Sequence, residues 1–196
     1  MKRVCVLILT ILVTAGASAP LAADPGEGSQ WYIGFGAGSG AARGKGELFH
    51  EDGDTIALPL ILNFGVGAFL HEKVTLGFDY ISFSHFARYD REGSETTEVL
   101  SIDDFFAALM FFPGDGGGFV KLGMGLVYLG DWDYDFLEST ADFYAGMGAT
   151  AGGGIFFTLS GDMKLGLHAE YSYHRYSSGP FSHTDMAALY VSLYWF

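Results

Sequence analysis

The residues best placed to do chemistry are His168, Glu170, Ser172 and His174. They recur at a spacing of two, the side-chain period of a strand, so all four share one face if that stretch is extended. A serine, a histidine and a carboxylate are the components of an acyl-transfer site. The carboxylate orients the imidazole, the imidazole takes the hydroxyl proton, and the oxygen attacks a carbonyl carbon. In this chain Ser172 would be the nucleophile, His174 the base and Glu170 the orienting acid. The same residue types also have a structural use. With Lys121, Lys164 and Asp79 they can pair with one another inside a protein, because buried charges require partners. We prefer the structural use and assign no catalytic residue.

Asp131, Asp133 and Asp135 alternate along a second acidic stretch, with Glu138 and Asp142 nearby. Carboxylates at that spacing can gather a divalent ion. The glycine and bidentate glutamate of a calcium loop are absent, so a solvated acidic loop is preferred and no metal is assigned. Residues 84–101 hold Arg88, Asp90, Arg91, Glu92, Glu95 and Glu98 beside His85, Phe86 and Tyr89, the composition of a solvated loop that can also meet a surface ligand. Gly34, Gly36 and Gly38 alternate within a strand pattern and open no helix, so they do not form a nucleotide loop. No cofactor is expected.

The elements that must carry these residues read as strands. Residues 31–40 place Trp31, Ile33, Phe35 and Ala37 on one face, against Tyr32 and three glycines on the other. Residues 55–69 put Ile56, Leu58, Leu60, Leu62, Phe64 and Val66 together; Pro59, Asn63, Gly65 and Gly67 argue against a helix there. The pattern continues through 74–83, 102–112, 119–129, 142–158, 163–174 and 185–196. Gly152, Gly153 and Gly154 suggest a bulge. The connections alternate: long after the first, third, fifth and seventh segments, and short at 71–73, 113–117 and 160–162. Eight segments with this alternation predict a closed antiparallel transmembrane β-barrel, an up-and-down meander with its long loops on one side. Lipid offers no partners for backbone N–H and C=O groups, so a sheet in a membrane must close. Tyr80, Tyr128, Tyr171, Tyr173 and Tyr194 are expected on the lipid face near strand ends, and Leu189, Val191 and Leu193 inside.

Composition agrees. Hydrophobic residues make up 49% of the chain and aromatics 16%. Glycine, at 29 of 196 residues, is about twice its usual share. A soluble barrel would bury its bulky face and show a polar one; here the bulky face is continuous and the other is crowded with glycine. The formal charge of −13 excludes nucleic-acid binding, which needs Lys and Arg against phosphates.

Met1, Lys2 and Arg3, the apolar run 4–15 and the small-residue sites at 17–19 and 21–23 read as a secretory signal peptide spanning 1–23, with 24–196 the barrel. Loss of Lys2 and Arg3 leaves a mature charge of −15. The single cysteine, Cys5, lies inside that segment, so the mature chain has no thiol for disulfides, nucleophilic catalysis or metal ligation.

The last strand ends in Phe196, with Tyr194 third from the end, Tyr190 further back and Ser192 where an apolar residue is usual. It resembles the terminal strand of outer-membrane barrels, in which these positions are read by the barrel-assembly machinery. Residues 30–196 as a whole resemble the small outer-membrane barrel proteins of the OmpA/OmpX type. That resemblance implies an integral protein of a Gram-negative outer membrane, in contact with outer-membrane lipids and lipopolysaccharide. It does not fix a function, since such barrels serve structural, adhesive, channel and enzymatic roles. Lipid A deacylases among them carry His and Ser two apart; here His174 and Ser177 are three apart, on opposite faces of a strand. No peptidoglycan-binding domain is expected after Phe196. The resulting expectation is a barrel with a structural or surface-interaction role. The alternatives are a lipid A or phospholipid acyl hydrolase and a narrow channel or conduit for a small apolar ligand.

Overall fold

The computed structural model describes residues 31–44, 59–91, 94–114, 116–134, 139–179 and 182–196. Residues 1–23, expected as a signal peptide, lie outside them. Eight strands follow in order: β1 (Trp31–Gly44), β2 (Leu60–His71), β3 (Val74–Arg91), β4 (Ser94–Phe111), β5 (Gly118–Tyr134), β6 (Ser139–Ser160), β7 (Met163–Tyr176) and β8 (His183–Trp195). Each pairs antiparallel with its sequence neighbours, and β1 pairs with β8 from Ile33↔Trp195 to Gly44↔Thr184, closing the barrel. The expected eight-stranded meander is therefore observed. Among the described residues no helix is long and apolar enough to cross a membrane.

The period-two pattern sets which way each side chain points. Trp31, Phe35, Leu62, Leu122, Met124 and Met147 face outward and are exposed. Their inward neighbours are glycines or buried side chains, as β7 shows by strict alternation of buried positions with less buried ones. Soluble monomers rarely expose a continuous apolar belt of this extent. Two short turns require glycine: Gly117 (φ 74°) and Gly161 (φ 49°) adopt the left-handed conformation that a Cβ disfavours.

The structure departs from the sequence pattern in four places. Residues 84–101 and 130–141 were expected as long loops. Instead β3 and β4 stay paired from Val74↔Phe111 to Arg91↔Ser94, and β5 pairs with β6 up to Tyr134↔Ser139. Their charged composition lacks the apolar alternation that marks a strand, and so hides their pairing. The second strand starts at Leu60, residues 55–58 lying outside the described ones. No bulge occurs at Gly152–Gly154, which pair in register with Glu170, Ala169 and His168; the irregularity falls between Thr158 and Ser160. These glycines make room instead: a Cβ at Gly154 would lie 2.8 Å from the Phe119 ring.

The fourth correction concerns β8. Leu189, Val191 and Leu193 point outward, while Tyr190, Ser192, Tyr194 and Phe196 point into the barrel and are buried. Both faces of this strand are apolar, so composition alone leaves its parity open. The ladder decides it, because Tyr190 pairs with inward His168 and Tyr194 with inward Lys164.

Candidate functional site

The barrel interior is a stack of three layers. At the short-turn end Tyr32, Met110, Phe112, Phe119, Phe156, Tyr194 and Phe196 form an apolar plug. Tyr194 fits because Gly34 faces it; a Cβ there would approach the ring to 2.6 Å. At the loop end a second plug contains Ile61, Ile81, Phe83, Ile102, Phe106 and Leu129. The main group of polar and ionisable side chains lies between the two, and a smaller one is set among the residues of the loop-end plug.

The middle of this polar layer is built around Lys121. Its ammonium is fully buried and contacts both Asp79 and Glu170, forming an ion triad across three strands. It also donates to Tyr190 Oη at 3.1 Å, and Tyr190 in turn donates to Glu170. Asn63 donates to Asp79 Oδ1 at 2.9 Å and to the Tyr80 carbonyl at 3.2 Å. Thr150 donates to the Tyr171 carbonyl at 3.3 Å and more weakly, at 3.5 Å, to Glu170 Oε2. His168 stacks on Tyr190 with ring centroids 4.5 Å apart and meets Ser192 Oγ at 2.5 Å through Nε2. One lysine thus serves two carboxylates, and the neutral groups around them supply the remaining hydrogen bonds, as a charge group removed from water requires.

A second polar group sits nearer the loops. His174 Nδ1 meets Thr184 Oγ1 at 2.9 Å, and Nε2 meets Asp104 Oδ2 at 3.2 Å. Tyr176 Oη lies 3.0 Å from the same threonine oxygen.

Glu170, Ser172 and His174 all face inward, as their spacing requires, but the structure does not join them into a relay. Both ring nitrogens of His174 are engaged by Thr184 and Asp104, and Glu170 is held by Lys121 and Tyr190. Ser172 Oγ is buried and has no hydrogen-bond partner among the described residues. A nucleophile needs a base within hydrogen-bond reach and a path for substrate. Ser172 has no such base within reach among the described residues. Ser177 lies past the end of β7 and donates to the Ala145 carbonyl at 3.1 Å. Asp131 and Asp133 fall in β5, not in a loop, and Asp135 lies outside the described residues.

The expected pairing of Lys121 with Asp79 and Glu170 is observed. Lys164 places its ammonium 4.7 Å from the centre of the Phe196 ring, a cation–π contact. Sequence reasoning missed Asp104, Tyr190, Asn63 and Ser192. Asp104 lies in a run where Asp103 and Asp104 are adjacent, and only the ladder shows which of the two points inward. Asp103 points out and accepts from Tyr80 Oη at 2.8 Å. Tyr190 and Ser192 were hidden by the parity of β8.

Packing beside the second polar group is tight at Gly148. A Cβ at Gly148 would lie 2.7 Å from Val127 Cγ2 and 2.8 Å from His174 Cδ2. Gly148→Val is therefore expected to destabilise the barrel by about 1–3 kcal/mol through overpacking. Gly114→Ala, at a turn with nothing within 4 Å of the new Cβ, is expected to be neutral. Urea titration of the two refolded variants checks the contrast.

No protein-family model matches the sequence, and no curated protein matches it. Solved structures do match. Neisserial surface protein A (NspA) is 13% identical, with 85% of this chain and 97% of that chain covered at a TM-score of 0.52. Ail, the attachment invasion locus protein of Yersinia pestis, is 10% identical, with 85% and 98% covered at 0.56. Ail in complex with the heparin analogue sucrose octasulfate is 9% identical, with 85% and 99% covered at 0.57. At these identities the likeness is one of fold, and together with strand number, meander order, closure and an apolar outer wall it gives the chain the barrel of the small outer-membrane proteins of the OmpA/OmpX type.

Proposed function

We propose that the protein is an integral outer-membrane barrel with a structural or surface-interaction role. The observation that carries this reading is the contrast between a lumen filled from end to end and an apolar outer wall. A filled lumen favours anchoring over transport, since eight strands leave room for side chains but not for a pore. The conduit alternative also loses its support, because Leu189, Val191 and Leu193 lie on the outer wall.

The paired extensions of β3–β4 and β5–β6 would rise from the outer surface as strand hairpins. They carry Asp90, Glu95, Glu98, Asp131 and Asp133, which suits a cationic or metal-bridged partner. The polysulfated sugar bound in the Ail complex has the opposite complementarity. Export by residues 1–23 and assembly guided by the last strand belong to the same proposal. Because Tyr190, Tyr194 and Phe196 end inside the barrel, their recognition by the assembly machinery would have to precede closure.

Planar-bilayer recording tests the filled lumen. The refolded protein is expected to give no steady conductance. A stable channel, reproducible across insertions, would replace the structural reading with conduction. Cell fractionation tests the location, with the protein expected in the outer-membrane fraction.

A further inference from the structure

Asp103 points out of the barrel at a height where the wall is apolar. To reach it, β4 climbs from Phe111 at the short-turn end. At ~3.3 Å per residue and a tilt of ~40° the climb is roughly 20 Å, inside the ~25 Å apolar band of a membrane barrel. Phe105 lies just below it on the same face, and at this level β2, β5 and β6 present Leu60, Leu126 and Met147. Tyr80 Oη donates to Asp103 Oδ1 at 2.8 Å, but no cation pairs with the carboxylate among the described residues. An ionised side chain on a lipid-facing surface is costly and usually has a partner.

The complementary charge stands on another wall of the same barrel. One circuit of the strand ladder from Gly34 returns to β1 at Gly44, nearer the loops, so each step to the next strand rises about 3 Å. Three such steps lead from Asp103 through Tyr128 and Ala145 to Ser177, and Arg175 lies just back down β7 from there. Arg175 therefore stands about 4 Å higher than Asp103, on a different side of the barrel. It is exposed and has no ion-pair partner among the described residues. Arg43, another outward arginine near this height, is already engaged by Asp185 at 3.2 Å.

The two surfaces also match in shape. Beside Asp103 the rings of Tyr80, Phe105 and Tyr128 form a ridge, the centre of Phe105 lying 5.0 Å from Tyr80 and 5.7 Å from Tyr128. Below Arg175, β6 presents Ala149 and Ala151 between Met124 and Leu122 of β5 and Tyr173 and Tyr171 of β7. Small side chains flanked by large ones make a shallow trough. By the same ladder geometry Ala149 lies within about 2 Å of the height of Phe105, and Ala151 within about 2 Å of Tyr80. Small residues let two surfaces approach closely in lipid.

We propose that a second copy of this chain packs side by side with the first in the membrane, the ridge of one barrel in the trough of the next, with Arg175 reaching down to Asp103. The proposal rests on the membrane reading above and adds a partner to it. The two patches differ, so the contact is heterologous: a pair keeps one free patch at each end and extends into a row. Apolar surfaces have no hydrophobic drive to associate in lipid, so the desolvated arginine–carboxylate pair supplies the specificity.

The test is energy transfer between dye-labelled copies of the mature protein, refolded together into lipid vesicles at high lipid dilution. The dyes are carried by Gly114→Cys, at a turn with nothing within 4 Å of the new Cβ. Every variant is first checked for the gel-mobility shift of an intact barrel. The otherwise unaltered protein is expected to show transfer well above random mixing. Asp103→Asn and Arg175→Gln, which nearly keep side-chain volume, are each expected to weaken association at least roughly tenfold. Ala149→Trp, which fills the trough and changes no charge, is expected to do the same. The reversal Asp103→Arg/Arg175→Asp is expected to restore transfer, because each contact again joins opposite charges. Transfer at the random level without these substitutions overturns the proposal, and so does undiminished transfer in either neutral variant. A folded reversal variant that regains no transfer overturns the pairing of these two residues. Copies that stay outside the vesicles would overturn the membrane reading itself, whereas inserted barrels without transfer leave that reading standing and overturn only the contact.

Discussion

Lys121→Met is expected to lower barrel stability by about 3–5 kcal/mol, measured as a shift in the urea midpoint of protein refolded into lipid vesicles. The ammonium of Lys121 lies against both Asp79 and Glu170 in the central layer, and both carboxylates are buried. Methionine fills a similar volume but leaves two carboxylates facing each other with no cation between them. It also removes a donor from Tyr190, whose hydroxyl bridges the same group. The loss is large because the remaining charges stay behind, not because the pair itself is strongly stabilising. The triple variant Lys121→Met/Asp79→Asn/Glu170→Gln is therefore expected to recover most of the stability. A single variant as stable as wild type would show that the carboxylates find other partners.

The second large effect is on the outer wall. Met124→Arg is expected to cost about 2–4 kcal/mol, because it places a cation at mid-height on the lipid-facing surface. Met124 is 65% exposed and lies midway along the outward face of β5, between Val120 and Tyr128. Tyr173→Arg, near the loop end of β7, is expected to cost only about 0–1 kcal/mol, because an arginine there can reach head groups and water. The same two variants measured in detergent and in vesicles should differ most for Met124. Equal, small costs at both positions would mean that the apolar wall does not face lipid. In a water-exposed barrel, replacing an exposed methionine by arginine has no such penalty.

These two variants probe opposite faces of one sheet, and the faces were legible to different degrees. The outward face follows from period two plus bulk: in β1, β5 and β7 large apolar residues alternate with glycine or polar residues, so only one assignment satisfies both lipid and lumen. In β8 that contrast is missing. Leu189, Val191 and Leu193 compete with Tyr190, Tyr194 and Phe196, and hydrophobicity alone does not rank them. What separates them is cross-strand pairing: Tyr190 must lie beside His168 and above Lys121, where its hydroxyl is needed. The lengths of β3 and β4 were hidden for a related reason. Between residues 86 and 98 apolar and polar residues cease to alternate, so the pattern that marks a strand disappears while the pairing continues.

The polar interior shows the same division. That Lys121, Asp79 and Glu170 would need one another could be argued from their inward positions and the cost of an unpaired charge. That His174 would turn to Asp104 and Thr184, away from Ser172, could not, because Asp104 lies 70 residues away and meets it only once the barrel closes, and Thr184 stands opposite it only in the observed β7–β8 register. Likewise Arg43 reaches Asp185 only through the β1–β8 seam, the last pairing along the chain.

By itself the sequence determined what local periodicity can determine: strand number, meander order, the side of each turn, and which face forms the apolar outer wall in strands of contrasting faces. Only the tertiary structure decided the parity of β8, the reach of the outer hairpins and the partners of each buried polar group. The physical reason is that alternation is a property of one strand, whereas register and closure are relations between strands, and every polar contact inside a barrel depends on the second.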